Sequence, residues 1–417
     1  MRWYHGWNVL AVTVLFQAIL LGSTASSFTL LISEWSREFQ SGIGDLQLAI
    51  LIFTGVQCLL APLPGMIVDR TSIRAMVVIG TLLTASGMVL LSTVTAVWQI
   101  LAVYGTLISV GVLLAGLLPA QTLAVKWFRG RRGMAIGLST AGASIGGIVM
   151  PIIVTQLFLA VGWRDAHLIL AAAAVVLIVP AVWFIVRNSP EHMGIEPEPE
   201  SRISAARTAA RIFPKWTPLA ILRERTFWIM VASLVPMAMA LAAVAQNIGP
   251  LARDVGVSPI DAAFLVSVFS GCALLSKIVV GTTADRVDLR LLFWVTNSLL
   301  IGAVVIFAMQ PDYILLMLAA ILLGLGGGAF LPLLASLVST RFGPQSFGQV
   351  MSMFGPVTMI TGAGPWIAGR IRDNTGDFAL ALNVFLVILI PAMLAMLLLK
   401  PATPPQPQHQ PKLAPGE

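Results

Sequence analysis

A short charged signature occurs twice in this chain. Gly65, Asp69, Arg70 and Arg74 stand in GMIVDRTSIR, and Gly281, Asp285, Arg286 and Arg290 stand in GTTADRVDLR. Both copies read G-x-x-x-D-R-x-x-x-R, and they lie 216 residues apart in a chain of 417. Each follows a long apolar run, so each aspartate ends a hydrophobic helix. The chemistry open to such a turn is electrostatic. A carboxylate there can sit near the N-terminus of a helix from the opposite half, where the macrodipole favours negative charge. The glycine four residues earlier lets another helix approach closely. Arg131, Arg132 and Arg341 are further cations in short polar stretches that can supply ion pairs. One Asp-Arg turn can simply end a helix. Two copies at matched positions point to a gate of contacts made and broken between two halves.

A single amine offers a second chemistry. Lys277, in LLSKIVVG, is the one acid–base side chain well inside an apolar run, four residues before the second signature's glycine. Every Asp and Glu falls in a polar stretch or at the end of an apolar one. An amine carried to the middle of a bilayer costs about 3 kcal/mol or more, so it faces a cavity or a partner. Alternatively its four-carbon stem snorkels to the headgroups. Facing a cavity, Lys277 is a point charge for an anion. The matching residue of the first copy is Ala61, so this charge stands outside the repeat. Neutral polar groups in the apolar runs can complete such a site or bond neighbouring helices. They are Gln17, Gln57, Tyr104, Gln121, Ser139, Ser144, Gln246, Asn247, Ser270, Asn297, Ser352 and Thr358.

The elements that position these residues are hydrophobic helices. Apolar residues make up 58% of the chain and charged residues 10%, where soluble proteins carry about 25% charged residues. A spanning helix needs roughly 20 apolar residues. Twelve such segments fit, near 7–32, 46–68, 75–95, 97–124, 133–160, 166–187, 226–250, 261–284, 289–309, 313–338, 347–370 and 378–399. The first is too long for a signal-peptide core and reads as a retained helix. The fold expected is all-α, with twelve transmembrane helices in two six-helix bundles. The first bundle covers 1–187 and the second 226–400. Between them, 188–225 is a charged, proline-containing linker, part disordered and part surface helix. The Pro- and Gln-rich tail at 401–417 reads as disordered.

Further landmarks repeat. Phe128 and Phe342, Pro151 and Pro365, and Gly162 and Gly376 are each 214 residues apart. The fifth and eleventh helices therefore correspond, and the halves are parallel repeats, an arrangement typical of transporters. Nineteen of the 25 Lys and Arg residues lie on the side that carries the termini and the linker. Five lie opposite: Arg37, Arg164, Arg253, Arg370 and Arg372. That bias places both termini in the cytoplasm. The net charge of +7 is spread over these short loops, so no nucleic-acid partner is expected. Cys58 and Cys272 sit in apolar runs and read as packing residues. No metal or other cofactor is expected.

The doubled signature, the twelve segments and the central linker resemble the major facilitator superfamily. WFRGRRGMAIGLSTAGASIGG, at 127–147, is similar to the fifth-helix signature of the monocarboxylate porter family, through Phe128, Arg131, Arg132, Ala135, Gly137, Ala141 and Gly142. HGW at 5–7, GWRDA at 162–166, NSPEHMG at 188–194 and GPWIAGRIRDNTG at 364–376 resemble that family and its bacterial oxalate/formate relatives.

The resemblance implies a carrier working by alternating access. It implies Asp69 near the start of the eleventh helix, around Ser346, and Asp285 near the start of the fifth, around Arg132. It implies an arginine at the position of Lys277 that binds substrate carboxylate. It also implies a substrate lying between the fourth, seventh and eighth helices, which favours Tyr104, Gln246 and Asn247. Two positions depart from the animal members. Ala273 stands where they have an acid, and Ser26 or a neighbour where they have a first-helix lysine. Both groups couple protons there, so proton symport is in doubt here, or the proton moves to Lys277, and anion antiport stays open.

The reading is a multi-pass carrier of the bacterial inner membrane for a small organic anion, a monocarboxylate foremost, with or without protons, expected to work as a monomer. Its rivals are an exporter of larger amphipathic compounds and a sensor that binds without carrying. An intramembrane enzyme is disfavoured, since no His/Asp/Glu cluster or Ser–His pair lies within the helices.

Overall fold

The computed structural model describes residues 4–61, 72–128, 132–193, 216–284, 286–343 and 346–399. Ten of its stretches are long and apolar enough to cross a membrane. They resolve into twelve passes for two local reasons. The helical run Arg132–Ile185 folds back on itself at Gly162, whose φ of 82° needs a residue without Cβ. The eleventh pass is broken into two pieces, each too short to span alone. Its pieces, Phe347–Met359 and Ala363–Thr375, meet at a 3-10 turn, Ile360–Gly362. Pro365 there has no N–H to give a continuous helix.

The passes are α1 (Gly6–Glu38), α2 (Ile43–Leu60), α3 (Ile73–Leu91), α4 (Val97–Trp127), α5 (132–161) and α6 (163–185). After the linker come α7 (Arg225–Ala245), α8 (Pro259–Thr283), α9 (Leu289–Ala308), α10 (Tyr313–Phe342), α11 (347–375) and α12 (Ala379–Leu397). Large apolar side chains such as Leu59, Phe184, Ile314 and Val387 point outward, as lipid-facing positions do. One end of the bundle carries the start of α1 and the end of α12. It is called here the terminal end, and the other the far end.

The expected segments and the observed helices differ mainly in their breaks. α1 runs on to Glu38. α7 stops at Ala245 and resumes as a short helix, Ile248–Asp254. α4 contains a π turn, Tyr104–Ile108, and a break at Gly116, with φ −99° and ψ −132°. Within the linker, Pro190–Met193 forms a 3-10 turn and Pro218–Arg223 a short helix. Residues 194–215 and the tail lie outside the described residues.

Several of the sequence landmarks have mechanical roles. Gly162 and Gly376 both adopt positive φ and close α5 and α11. Phe128 and Phe342 are both buried at the ends of α4 and α10. The HGW stretch staples the start of α1 to its neighbours. Tyr4 donates to the Trp127 carbonyl at 2.5 Å, His5 Nε2 lies 2.9 Å from the Ile185 carbonyl, and Trp7 packs edge-on against Phe128. Asn188, of NSPEHMG, accepts from Ser72 Oγ at 3.0 Å at the start of α3.

Candidate functional site

The halves meet along two seams that the repeat relates to each other. One is α2 against α11, and the other is α8 against α5. On the second seam, α5 presents small residues on two sides. Gly142 and Gly146 lie directly against α1, where an added Cβ would strike the backbone of Val14 and Ala18. Gly147 lies against α8, and a Cβ there would stand 2.5 Å from Ser270 Oγ. Ile148, the next residue of α5, lies beside Gly271, the next residue of α8. α5 is thereby wedged between α1 of its own half and α8 of the other.

Ser144 and Lys277 face each other on this seam. Lys277 Nζ donates to Ser144 Oγ at 2.8 Å, and Ser144 is buried. Helical side chains tilt toward the N-terminus of their helix, and α8 begins at the far end. Lys277 stands six residues before Thr283, which is about 9 Å along the axis from the terminal end of α8. Ser144 stands twelve residues into α5 from Arg132, or about 18 Å. The stem of Lys277 therefore runs inward, away from the nearer headgroups. Among the described residues every carboxylate lies at a helix end or in a turn, so none shares this seam.

The other expected site residues engage different partners. Tyr104 is buried on the π turn of α4. Its hydroxyl donates to the Thr24 carbonyl at 3.3 Å, and its ring packs edge-on against Phe28 and Trp35. Gln246 accepts from Thr29 Oγ1 at 3.1 Å, and its carbonyl accepts from Gln47 Nε2 at 3.2 Å. Asn247 is fully buried. Its Oδ1 accepts from Gln47 Nε2 at 2.9 Å, and its Nδ2 donates to the Ala243 carbonyl at 2.8 Å. Gln246 and Asn247 thus join α7 to α1 and α2 across the halves, toward the far end. Among the described residues, no hydrogen bond links Tyr104, Gln246 or Asn247 to Lys277.

The far end is closed by contacts that sequence reasoning used only for orientation. Both carboxylate oxygens of Asp373, near the end of α11, accept backbone N–H bonds at the start of α2. Ile43 donates at 2.9 Å and Gly44 at 2.7 Å. This is an N-cap supplied from the opposite half, satisfying donors that a helix start otherwise leaves free. The two backbones almost touch, since a Cβ on Gly369 would lie 2.8 Å from Gly44 Cα. Arg370 pairs with Asp45 at 2.8 Å, and Arg253 with Glu34, both across the halves. Arg372 pairs with Asp254 at 2.7 Å inside the second half. Within the first half, Glu38 pairs with Arg164 at 2.7 Å and accepts from Trp163 Nε1 at 2.7 Å, both from GWRDA. The one legible signal for this closure was that five cations of that side share it with Glu34, Glu38, Asp45, Asp254 and Asp373.

At the terminal end, Gly65, Asp69, Arg70, Arg131 and Asp285 lie outside the described residues, as does the side chain of Arg132. Of the gate set, Gly281, Arg286, Arg74 and Arg290 are described. Gly281 lies in the last turn of α8 with no described residue within 4 Å of its Cβ position, and Arg286 is exposed in the turn that follows. The last arginine of each signature docks inside its own half. Arg74 Nη1 donates to the Trp183 carbonyl at 3.2 Å, with the guanidinium over the Trp183 ring. Arg290 Nη1 donates to the Leu399 carbonyl at 3.2 Å. Trp183 and Leu399 are 216 residues apart, like the signatures themselves. Each arginine therefore meets carbonyls at the end of α6 or α12, where a cation complements the dipole. Asp288 caps α9, and the hydrogen bond from the Arg290 guanidinium holds its carboxyl below the usual range. Ser346, at the start of α11, accepts from the Trp216 N–H at 3.1 Å, which ties the linker to the second half.

Twelve hydrophobic helices in two halves, with a polar seam between them, define a multi-pass membrane transporter rather than an enzyme. The pattern of the Major Facilitator Superfamily matches residues 13–248 and again 229–416, and the chain belongs to that family. Monocarboxylate transporter 2 of Homo sapiens is 25% identical over 89% of this chain and 81% of its own. MFS-type transporter 1 of Ophiocordyceps sp. (strain BCC 1869) is 27% identical over 82% of this chain and 73% of its own. A solved structure, a bacterial homolog of the human lysosomal transporter Spinster in an inward-facing and unoccupied conformation, superposes with a TM-score of 0.67. It is 15% identical, over 96% of this chain and 95% of that one, so it bears on the fold alone.

Proposed function

We propose that this transporter carries a small organic anion of the monocarboxylate class across the inner membrane by alternating access, with Lys277 neutralising the carboxylate. The observation that carries the reading is the environment of Lys277. Its ammonium has three N–H donors, yet among the described residues its one acceptor is a neutral hydroxyl. An intramembrane cation without a resident counter-ion is costly, and an anionic cargo supplies the missing charge. The monocarboxylate transporters to which the chain is similar support the class of cargo.

With the termini in the cytoplasm, as the charge bias argues, the far end faces outside. The Asp373 cap, the Arg370–Asp45 and Arg253–Glu34 pairs and the Gln47–Asn247 bond then form the outer closure, which parts when the site turns outward. Asp69 and Asp285, with the arginines beside them, form the inner gate. With no carboxylate on the described α5–α8 seam, Lys277 is the one group there that could take up a symported proton, and an amine that stays charged to hold the carboxylate leaves exchange of one anion for another as the favoured mode.

Uptake of labelled lactate, pyruvate, oxalate and benzoate into proteoliposomes, with and without a pH gradient and with and without internal anion, tests this. Uptake that needs internal anion and ignores the pH gradient is expected. Lys277→Ala is expected to lower kcat/KM by about tenfold to a hundredfold, in line with losing a charge-assisted contact of about 1.5–3 kcal/mol. Carboxylate uptake that survives this substitution unchanged overturns the assignment.

A further inference from the structure

The Ser144–Lys277 bond leaves one group unused. Ser144 Oγ accepts from the ammonium, and no described residue accepts the hydroxyl hydrogen. A serine hydroxyl is one donor as well as an acceptor. Ser144 is buried and held by the α5 wedge, with Gly142 and Gly146 against α1 and Gly147 against Ser270. Its position is therefore set by backbone packing rather than by a mobile side chain. Lys277, by contrast, ends a flexible stem that can shift by an ångström or two.

We propose that Ser144 and Lys277 form a two-point clamp for the cargo carboxylate, one point from each half. This rests on Lys277 being the anion anchor and assigns the second donor. A carboxylate has two oxygens, each with acceptor capacity to spare. One oxygen takes an N–H from Lys277 and the other takes the O–H of Ser144. Lysine is a point charge and cannot orient a carboxylate as a guanidinium fork does. A hydroxyl fixed within reach of the amine adds the second donor that a lysine lacks. The bound anion then bridges α5 and α8, replacing the direct Ser144–Lys277 bond by a longer link through the cargo. The spacing between the halves at this level thereby depends on whether cargo is present.

The test uses the full-length carrier in proteoliposomes, with lactate as probe. Ser144→Ala is expected to raise KM about tenfold, the loss of one hydrogen bond to a charged group, while kcat stays within about twofold. Ser144→Thr, which keeps the hydroxyl, is expected to restore KM to within about twofold to threefold of wild type. Ser144→Cys, close in size but a weak donor, is expected to follow Ala. Spin labels on α5 and α8 are expected to report a wider seam with lactate bound in wild type and no change in Ser144→Ala.

If Ser144→Ala and Ser144→Cys keep the wild-type KM while Lys277→Ala abolishes uptake, the clamp is wrong and the anchor stands. If all three leave lactate uptake intact, the anion reading itself falls. If Ser144→Thr is as impaired as Ser144→Ala, or kcat falls with KM unmoved, Ser144 acts through packing alone and the clamp is overturned.

Discussion

The α2–α11 and α5–α8 seams are built from corresponding helices, yet different forces hold them. The α2–α11 seam is closed at its far end by charge and backbone. It has the Asp373 cap on α2, the Arg370–Asp45 pair and the near-contact of Gly44 with Gly369. The α5–α8 seam is joined in mid-membrane by one amine and one hydroxyl, with Gly147 packed on Ser270. The start of α8 caps itself, through Ser258 and Asp261. The residue that matches Asp373 on α5 is Leu159, which has no carboxylate to offer. Duplication supplied two equivalent seams, and divergence left one joined by a helix cap and an ion pair at its far end and the other by an amine and a hydroxyl in mid-membrane.

The largest way to break this comparison is at the backbone crossing. Gly44→Leu or Gly369→Leu places a side chain where no space exists, and such overpacking costs roughly 1–3 kcal/mol. Because that cost falls on the far-end-closed state alone, transport is expected to collapse. A cysteine at residue 47 is then expected to become reactive to an impermeant thiol reagent from the far side. The smaller change on the other seam, Gly147→Ala, meets Ser270 Oγ, which can rotate away, and Ser270 Cβ at 2.9 Å, and is expected to cost less because it meets one side chain and no opposing backbone.

Next comes the cap. Asp373→Ala removes two bonds from backbone N–H groups to a carboxylate, worth about 1–2 kcal/mol for a cap. The far-end-closed population is expected to fall roughly 5- to 30-fold against the far-end-open one, read by spin-label distances across that end. Asp373→Asn keeps an acceptor and is expected to fall between. If Asp373→Ala leaves the distances unchanged, the far-end closure does not reside in the cap.

The ion pairs should matter less. Glu34 is 15% and Arg253 29% exposed in their side chains, so Arg253→Gln is expected to shift the same equilibrium by up to about 1 kcal/mol, more at low salt. Arg370 and Asp45 are about half exposed, and Asp45→Asn is expected to change it by less than about 0.5 kcal/mol. An effect of Asp45→Asn as large as that of Asp373→Ala would mean that charge, not capping geometry, closes the far end.

Sequence patterning made much of the fold legible. Apolar runs of spanning length announce helices because a bilayer accepts little else. Repeated landmarks report duplication because corresponding turns need the same residues, as Gly162 and Gly376 show by their positive φ. The breaks were harder to read, because a proline such as Pro365 marks a helix start as readily as a helix interior.

The candidate site divides along similar lines. Lys277 stood out in the sequence because a lone charge in an apolar run is conspicuous. Its partner Ser144 did not, because a serine on a membrane helix commonly bonds its neighbours. Tyr104, Gln246 and Asn247 were favoured by resemblance, and their bonds were decided by which helix faces pack together. Arg74 and Arg290 read as gate residues, yet each reaches the carbonyls of the last helix in its own half.

The sequence by itself determined the number of passes, the duplication, the charge bias and the single interior amine, all of which are properties of local composition and spacing. Tertiary structure alone decided that Lys277 turns inward to Ser144 and that Asp373 caps a helix of the opposite half. Such contacts join residues more than 100 positions apart, and their partners are set by helix rotation and tilt, which no local pattern specifies.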